Sequence, residues 1–152
     1  MASQIFKKNS ILHVSLVSNS LDESIAFLTG LFDRKPDRIG GSADPAEANA
    51  QYRGGPSRAS CRLAVWNFDN MYLEVIEPDK EPSAWRDYLD RHGPGLHHIA
   101  FEVSDMPDKI AKLEAKGLPL LQLAEFGGGR GRYAYVDAER QIGAAIELLE
   151  WY

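Results

Sequence analysis

The sequence predicts an α+β fold made of two copies of one βαβββ module, on three observations. The first is an internal repeat. Adding 85 to each residue number lays His13-Val14-Ser15-Leu16 on His98-Ile99-Ala100-Phe101 without a gap, and Ile25, Ala26 and Leu28 on Ile110, Ala111 and Leu113. The second is a later echo at an offset of 73, Leu73-Glu74-Val75-Ile76-Glu77 against Ile146-Glu147-Leu148-Leu149-Glu150. The third is the alternation of strand-like stretches with segments whose apolar residues recur at helical spacing. A chain that repeats itself on this scale repeats a supersecondary unit. Each copy opens on a strand bearing a histidine and closes on a strand bearing a glutamate.

Taken in order, residues 1–9 read as a loose end and 11–17 as the first strand. Leu21, Ile25, Leu28 and Phe32 form one stripe of a helix over 21–32, with Ser20 or Asn19 as its N-cap. From 36 to 59 the pattern dissolves: Gly40-Gly41, Asp44-Pro45 and Gly54-Gly55-Pro56 punctuate a loop whose Ala-rich middle suits one helical turn. This stretch absorbs the difference in length between the copies, since 61 positions separate His13 from Glu74 and 49 separate His98 from Glu147. Residues 62–66 and 71–76 read as a hairpin around Asn67-Phe68-Asp69-Asn70. A linker helix over about 82–92 stops at Gly93-Pro94.

The second copy then runs through a strand at 97–103 and a helix at 106–116, with Asp105 as N-cap and Pro107 in the first turn. Strands at 118–126, 132–136 and 144–149 complete it. The reading is one domain over residues 1–152, with modules at about 11–78 and 96–150, and an antiparallel core sheet carrying helices on one face.

Bulk composition narrows the function. At 26% charged and 44% apolar residues the chain suits a soluble globular protein, and a net charge of −5 without a basic run argues against a nucleic-acid surface. No apolar stretch is long enough for a membrane span, and the N-terminus does not read as a signal peptide. Cys61 is the one cysteine, so no internal disulfide forms and a reducing cytoplasm is the expected compartment.

Strand parity locates the chemistry. His13, Glu74, His98 and Glu147 are each flanked by apolar residues that face the other way. With the apolar faces under the helices, two imidazoles and two carboxylates project together, a donor set suited to a divalent transition metal. Parity puts His97 on the Ile99 side, as a satisfied structural histidine; His92 reads as solvated, and Glu77 and Glu150 as rim residues. Gly127-Gly128-Gly129-Arg130-Gly131-Arg132 lacks the lysine of a phosphate loop and reads as a hairpin, from which Arg130 or Arg132 could meet an anionic substrate group. Trp66, Phe68, Tyr72 and Trp85 read as core and interface, and Cys61 as a small buried hydrophobe.

The run Gly95-Leu96-His97-His98-Ile99-Ala100-Phe101-Glu102-Val103-Ser104-Asp105 is preceded by Leu73-Glu74-Val75-Ile76-Glu77-Pro78 and Tyr88-Leu89-Asp90-Arg91-His92-Gly93-Pro94, and followed by Ala145-Ile146-Glu147-Leu148-Leu149. Together these resemble the vicinal oxygen chelate superfamily of glyoxalase I, methylmalonyl-CoA epimerase, extradiol dioxygenases and bleomycin-resistance proteins. The resemblance covers residues 11–150, and 73–105 look most like the epimerase branch.

It implies an open barrel around one divalent ion (Co, Ni, Mn or Zn), with His13, Glu74, His98 and Glu147 as ligands, and a homodimer. The implied chemistry is movement of a proton next to a carbonyl on a small acyl substrate, which could be an acyl-CoA, with Glu147 as first candidate for the base and Glu74 as second. The family's further epimerase glutamate has no counterpart, because 53–62 contain no Asp or Glu, which leaves Glu47 or Glu74 to serve. Gly30 and Pro78 stand where glyoxalase I carries its glutathione-binding arginine and asparagine. A glyoxalase-like lyase on another adduct is therefore the alternative enzyme, an extradiol dioxygenase ranks after it, and a ligand-sequestering protein is the rival of another class.

Overall fold

The computed structural model describes residues 4–152. The first module comprises β1 (His13–Val17), α1 (Leu21–Phe32), β2 (Arg38–Gly41), a hairpin of β3 (Gln51–Tyr52) and β4 (Gly55–Pro56), β5 (Cys61–Asn67) and β6 (Tyr72–Pro78). After α2 (Ala84–His92), the second comprises β7 (Gly95–Glu102), α3 (Met106–Ala115), β8 (Leu120–Phe126), β9 (Gly131–Ala138), a short α4 (Glu139–Ile142) and β10 (Ala144–Trp151). The two-module α+β reading holds, and the strands curl into an open barrel.

The ten strands among the described residues form one sheet in the order β2-β5-β6-β1-β7-β10-β9-β8-β3-β4. The sheet is mixed rather than antiparallel, because the last long strand of each module returns beside the first: β1 pairs in parallel with β6, and β7 with β10. Hydrophobic period says which face a residue takes but not which strand lies next to it. The modules join edge to edge through the antiparallel pair β1·β7.

Three apolar clusters follow from this curl. Leu21, Leu28, Ala64, Trp66 and Val75 pack under α1, with Ile25 and Phe32 against them. Met106, Leu113, Val136 and Leu148 pack under α3, with Ile110 against them, so the repeated apolar positions do the same work in both copies. The third cluster, with Val17, Leu63, Val65, Ile76, Trp85 and Leu89, lines the concave side.

Capping also repeats. Ser20 caps α1 by accepting from the Glu23 amide, and the Leu21 amide donates to Glu77 Oε2 at 2.7 Å. In the second copy Asp105 holds the N-cap position but makes no side-chain cap bond; the Met106 amide donates instead to Glu150 Oε1 at 3.3 Å. Glu77 and Glu150 are therefore not rim residues. Each pins the start of its module's helix to the closing strand, where a negative charge also suits the helix dipole.

Two further expectations change. Residues 1–3 of the loose end lie outside the described residues, but from Ile5 on the segment is tied down: Phe6 stacks on Phe101 and the Lys7 amide donates to the Glu102 carbonyl at 2.8 Å. The surplus of the first module is not featureless either. It supplies edge strand β2, one turn over 45–49 capped by Asp44, and the β3–β4 hairpin, which crosses to pair with β8 of the other module. Among the described residues, no helix is long and apolar enough to cross a membrane.

Candidate metal centre

On the concave face His13, Ser15 and Val17 of β1 are buried, and so are Glu74 on β6, His98 on β7 and Glu147 on β10. The four residues singled out by parity thus come from four adjacent strands and from both modules of one chain. His13 Nε2 lies 3.0 Å from His98 Nε2. Glu147 Oε2 lies 2.9 Å from the first and 3.0 Å from the second. Among the described residues Glu147 Oε2 has no hydrogen-bond partner of proper geometry, so three buried polar atoms converge on one point with a carboxylate oxygen left unpaired.

Their mutual spacing suits a metal. Donors about 2.1 Å from one ion and at right angles around it are separated by about 3 Å. Imidazole and carboxylate together favour a borderline divalent cation.

Glu74 stands apart from this triad. Its Oε1 is 3.7 Å from His98 Nε2 and 3.9 Å from His13 Nε2, and it accepts a 3.0 Å hydrogen bond from Ser15 Oγ. Ser15 enters the sequence reading only as part of the repeat and not as a site residue, although stepping two residues along β1 from His13 reaches it on the same face.

The carboxylates and imidazoles of the cluster stabilise one another's charged forms. Burial acts to raise the Glu147 carboxyl, but His98 and His13 outweigh it and hold the group well below the usual carboxylate range. Burial acts to lower His13, and the Glu147 and Glu74 carboxylates reverse that and raise it. His97 is pushed well below its ordinary value, by burial first and then by His98.

Above the cluster opens a cavity of about 510 Å³. Its walls include His13, Glu74 and Glu147 with Tyr72, Trp85, Tyr133 and Tyr135, and the 41–50 segment covers one side. Tyr72 stacks on His13 with ring centroids 4.3 Å apart, and Trp85 Nε1 donates to Tyr135 Oη. Tyr72 and Trp85 are thus cavity wall as well as core. Trp66 is core, and Phe68 is exposed against Phe32 and Arg34. Cys61 is buried in the wall, and desolvation pushes its thiol up to about 12.

Arg130 lines the mouth. Arg132 does not: its Nε donates to Glu150 Oε2 at 2.6 Å, and its guanidinium lies over Tyr152. Arg38, which sequence reasoning did not single out, also lines the mouth, whereas Glu47 is exposed and outside the lining. His92 is paired with Glu139 rather than simply solvated.

Residues 12–136 match the family model described as the glyoxalase/bleomycin resistance protein/dioxygenase superfamily. A curated relative, the uncharacterized protein YqjC of Bacillus subtilis strain 168, is 28% identical over 89 residues, which are 58% of this chain and 64% of that protein. The chain thus spans about 64% of the curated relative it matches. Methylmalonyl-CoA epimerase from Mycobacterium tuberculosis superposes with a TM-score of 0.67 at 20% identity, over 100% of this chain and 93% of that one. A Streptomyces coelicolor methylmalonyl-CoA epimerase variant in complex with 2-nitronate-propionyl-CoA gives 0.64 at 21% identity, over 93% and 94%.

Proposed function

This chain belongs to the glyoxalase/bleomycin resistance protein/dioxygenase superfamily, and from that premise we propose that it is a divalent-metal-dependent enzyme moving a proton next to a carbonyl, of the epimerase or isomerase type. The observation that carries this reading is the donor triad of His13, His98 and Glu147 at the floor of a cavity walled by aromatic side chains, with a further carboxylate beside it. His13, His98 and Glu147 would hold the ion. When bound, it supplies the positive charge that stabilises an enolate oxygen.

Glu74 is the group best placed to take the proton. It lines the cavity, it is not drawn into the tight triad, and Ser15 fixes its carboxylate. Glu147, the first candidate for base on sequence, is better suited to hold the ion. The aromatic wall excludes water from an acyl group, and Arg38 and Arg130 at the mouth favour a substrate with an anionic end, such as an acyl-CoA. The Streptomyces coelicolor neighbour is in complex with a ligand of that class, 2-nitronate-propionyl-CoA.

A lyase of glyoxalase type is the second reading, supported by Glu74 lying within 3.9 Å of both imidazoles as an available fourth donor. We place the enzyme in the cytoplasm and expect a homodimer in sedimentation, although all four donors come from one chain.

The test is deuterium incorporation at the α-carbon, followed by NMR, for acyl-CoA and 2-oxo acid substrates in deuterated water with metal-loaded protein. We expect exchange with an acyl-CoA, and a loss of about 10²-fold or more in Glu74→Gln with metal retained. Absence of exchange across the panel, or exchange unchanged in Glu74→Gln, would refute the proposal.

A further inference from the structure

The internal repeat makes one departure beside the metal centre. Subtracting 85 from His97 gives Leu12, so only the second copy carries a histidine next to its ligand histidine. The backbone departs at the same place. In the β1·β7 ladder Ser15 pairs with His98 and Leu16 with Leu96, which leaves His97 as the extra residue of a β-bulge. The bulge cancels the alternation that would have put His97 on the Ile99 side. Both imidazoles consequently turn inward, with His97 and His98 each 1% exposed or less.

The two rings meet edge to face with their Nδ1 atoms 2.8 Å apart. One nitrogen of such a pair must donate and the other accept. His98 presents Nε2 to His13 and Glu147, so as a ligand it keeps that lone pair free and carries its hydrogen on Nδ1. His97 Nδ1 must then be the acceptor. Its own hydrogen then resides on Nε2. Tyr88 of α2 and Tyr135 of β9 pack edge-on against the His97 ring and fix its plane. Among the described residues, His13 by contrast has no partner for its Nδ1.

We propose that His97 is a positioning residue that fixes His98 as the Nδ1–H tautomer by accepting that hydrogen at its own Nδ1, and so presets Nε2 of His98 for the metal. This rests on the metal-site reading above and extends it beyond the residues that touch the ion. It makes α2, which belongs to neither module, part of the site's support.

The test has two arms. In ¹⁵N-histidine-labelled, zinc-loaded protein, long-range ¹H–¹⁵N correlation spectra should show His98 protonated at Nδ1 and His97 at Nε2. A hydrogen on Nδ1 of His97 would overturn the proposal without recourse to any variant. In competition titrations with zinc, His97→Ala should bind about 10–100-fold more weakly. His97→Asn, whose Oδ1 can accept from the same N–H, should recover to within about threefold of wild type. Thermal melts of the metal-free variants establish that each is folded. Zinc affinity in His97→Ala equal to wild type would overturn the inference while leaving the metal site standing. Wild-type protein that takes up no zinc would remove both.

Discussion

Ser15→Ala probes the support of the proposed base with little change of volume. Ser15 is fully buried and its hydroxyl donates to Glu74 Oε1 at 3.0 Å, while Glu74 is itself only 8% exposed. A hydrogen bond to an ionised group contributes about 1.5–3 kcal/mol, more than a neutral one, and replacing the hydroxyl by a methyl hydrogen leaves the carboxylate short of a donor. At about 2–4 °C per kcal/mol for a chain of this size, the melting temperature should fall by about 3–12 °C. Urea unfolding of wild type, Ser15→Ala, Glu74→Gln and the double variant closes a cycle, and its coupling should be about 1 kcal/mol or more. If Ser15→Ala costs less than about 0.5 kcal/mol and the coupling vanishes, Ser15 does not hold Glu74 and the assignment of Glu74 as a fixed base loses its support.

Three other outcomes are expected. Gly131→Ala should destabilise by about 1–3 kcal/mol in urea unfolding, because a Cβ there would meet the Glu150 carbonyl oxygen at 2.5 Å and the Phe126 ring at 2.6 Å, on the ladder that carries Glu147. Cys61, buried with its thiol pushed up to about 12, should resist thiol reagents at about pH 8 in the native protein and react only on unfolding. Acid should destabilise the fold through exposed and partly exposed carboxylates: hydrogen bonds from Arg91 and then His92 lower Glu139, and the Asn67 amide and then Arg34 lower Asp37. Their stabilisation is complete above their unfolded values of 4.5 and 3.8 and is lost as pH falls through the lower folded values, so melting temperature should drop on acidification below about pH 4.5, less steeply in Glu139→Gln.

What the sequence could reveal was whatever alternation and repetition encode. Parity put His13, Glu74, His98 and Glu147 on one face because side chains in a strand alternate, and the repeat gave the two modules and both module helices. Pairing lies outside that information. Nothing in the period of β1 or β7 says that each lies parallel to the last strand of its own module, nor that the β3–β4 hairpin will cross to β8. The bulge at His97 is equally silent, since one inserted residue inverts every parity argument beyond it. Glu77 and Glu150 stand out in the sequence as a repeated pair, but their role depends on where the helix starts lie in space. Arg38 sits in a segment without any period, and only the fold brings it to the cavity mouth.

His13, His98 and Glu147 are proposed to form one metal site within a single chain. Elemental analysis of the purified protein by mass spectrometry, before and after EDTA, with His98→Ala and Glu147→Ala alongside, tests it most directly. About one equivalent of a divalent transition metal is expected per wild-type chain, removed by chelator and absent from both folded variants. No metal in the wild type even after incubation with cobalt, nickel, manganese and zinc, or full occupancy in either variant, would contradict it.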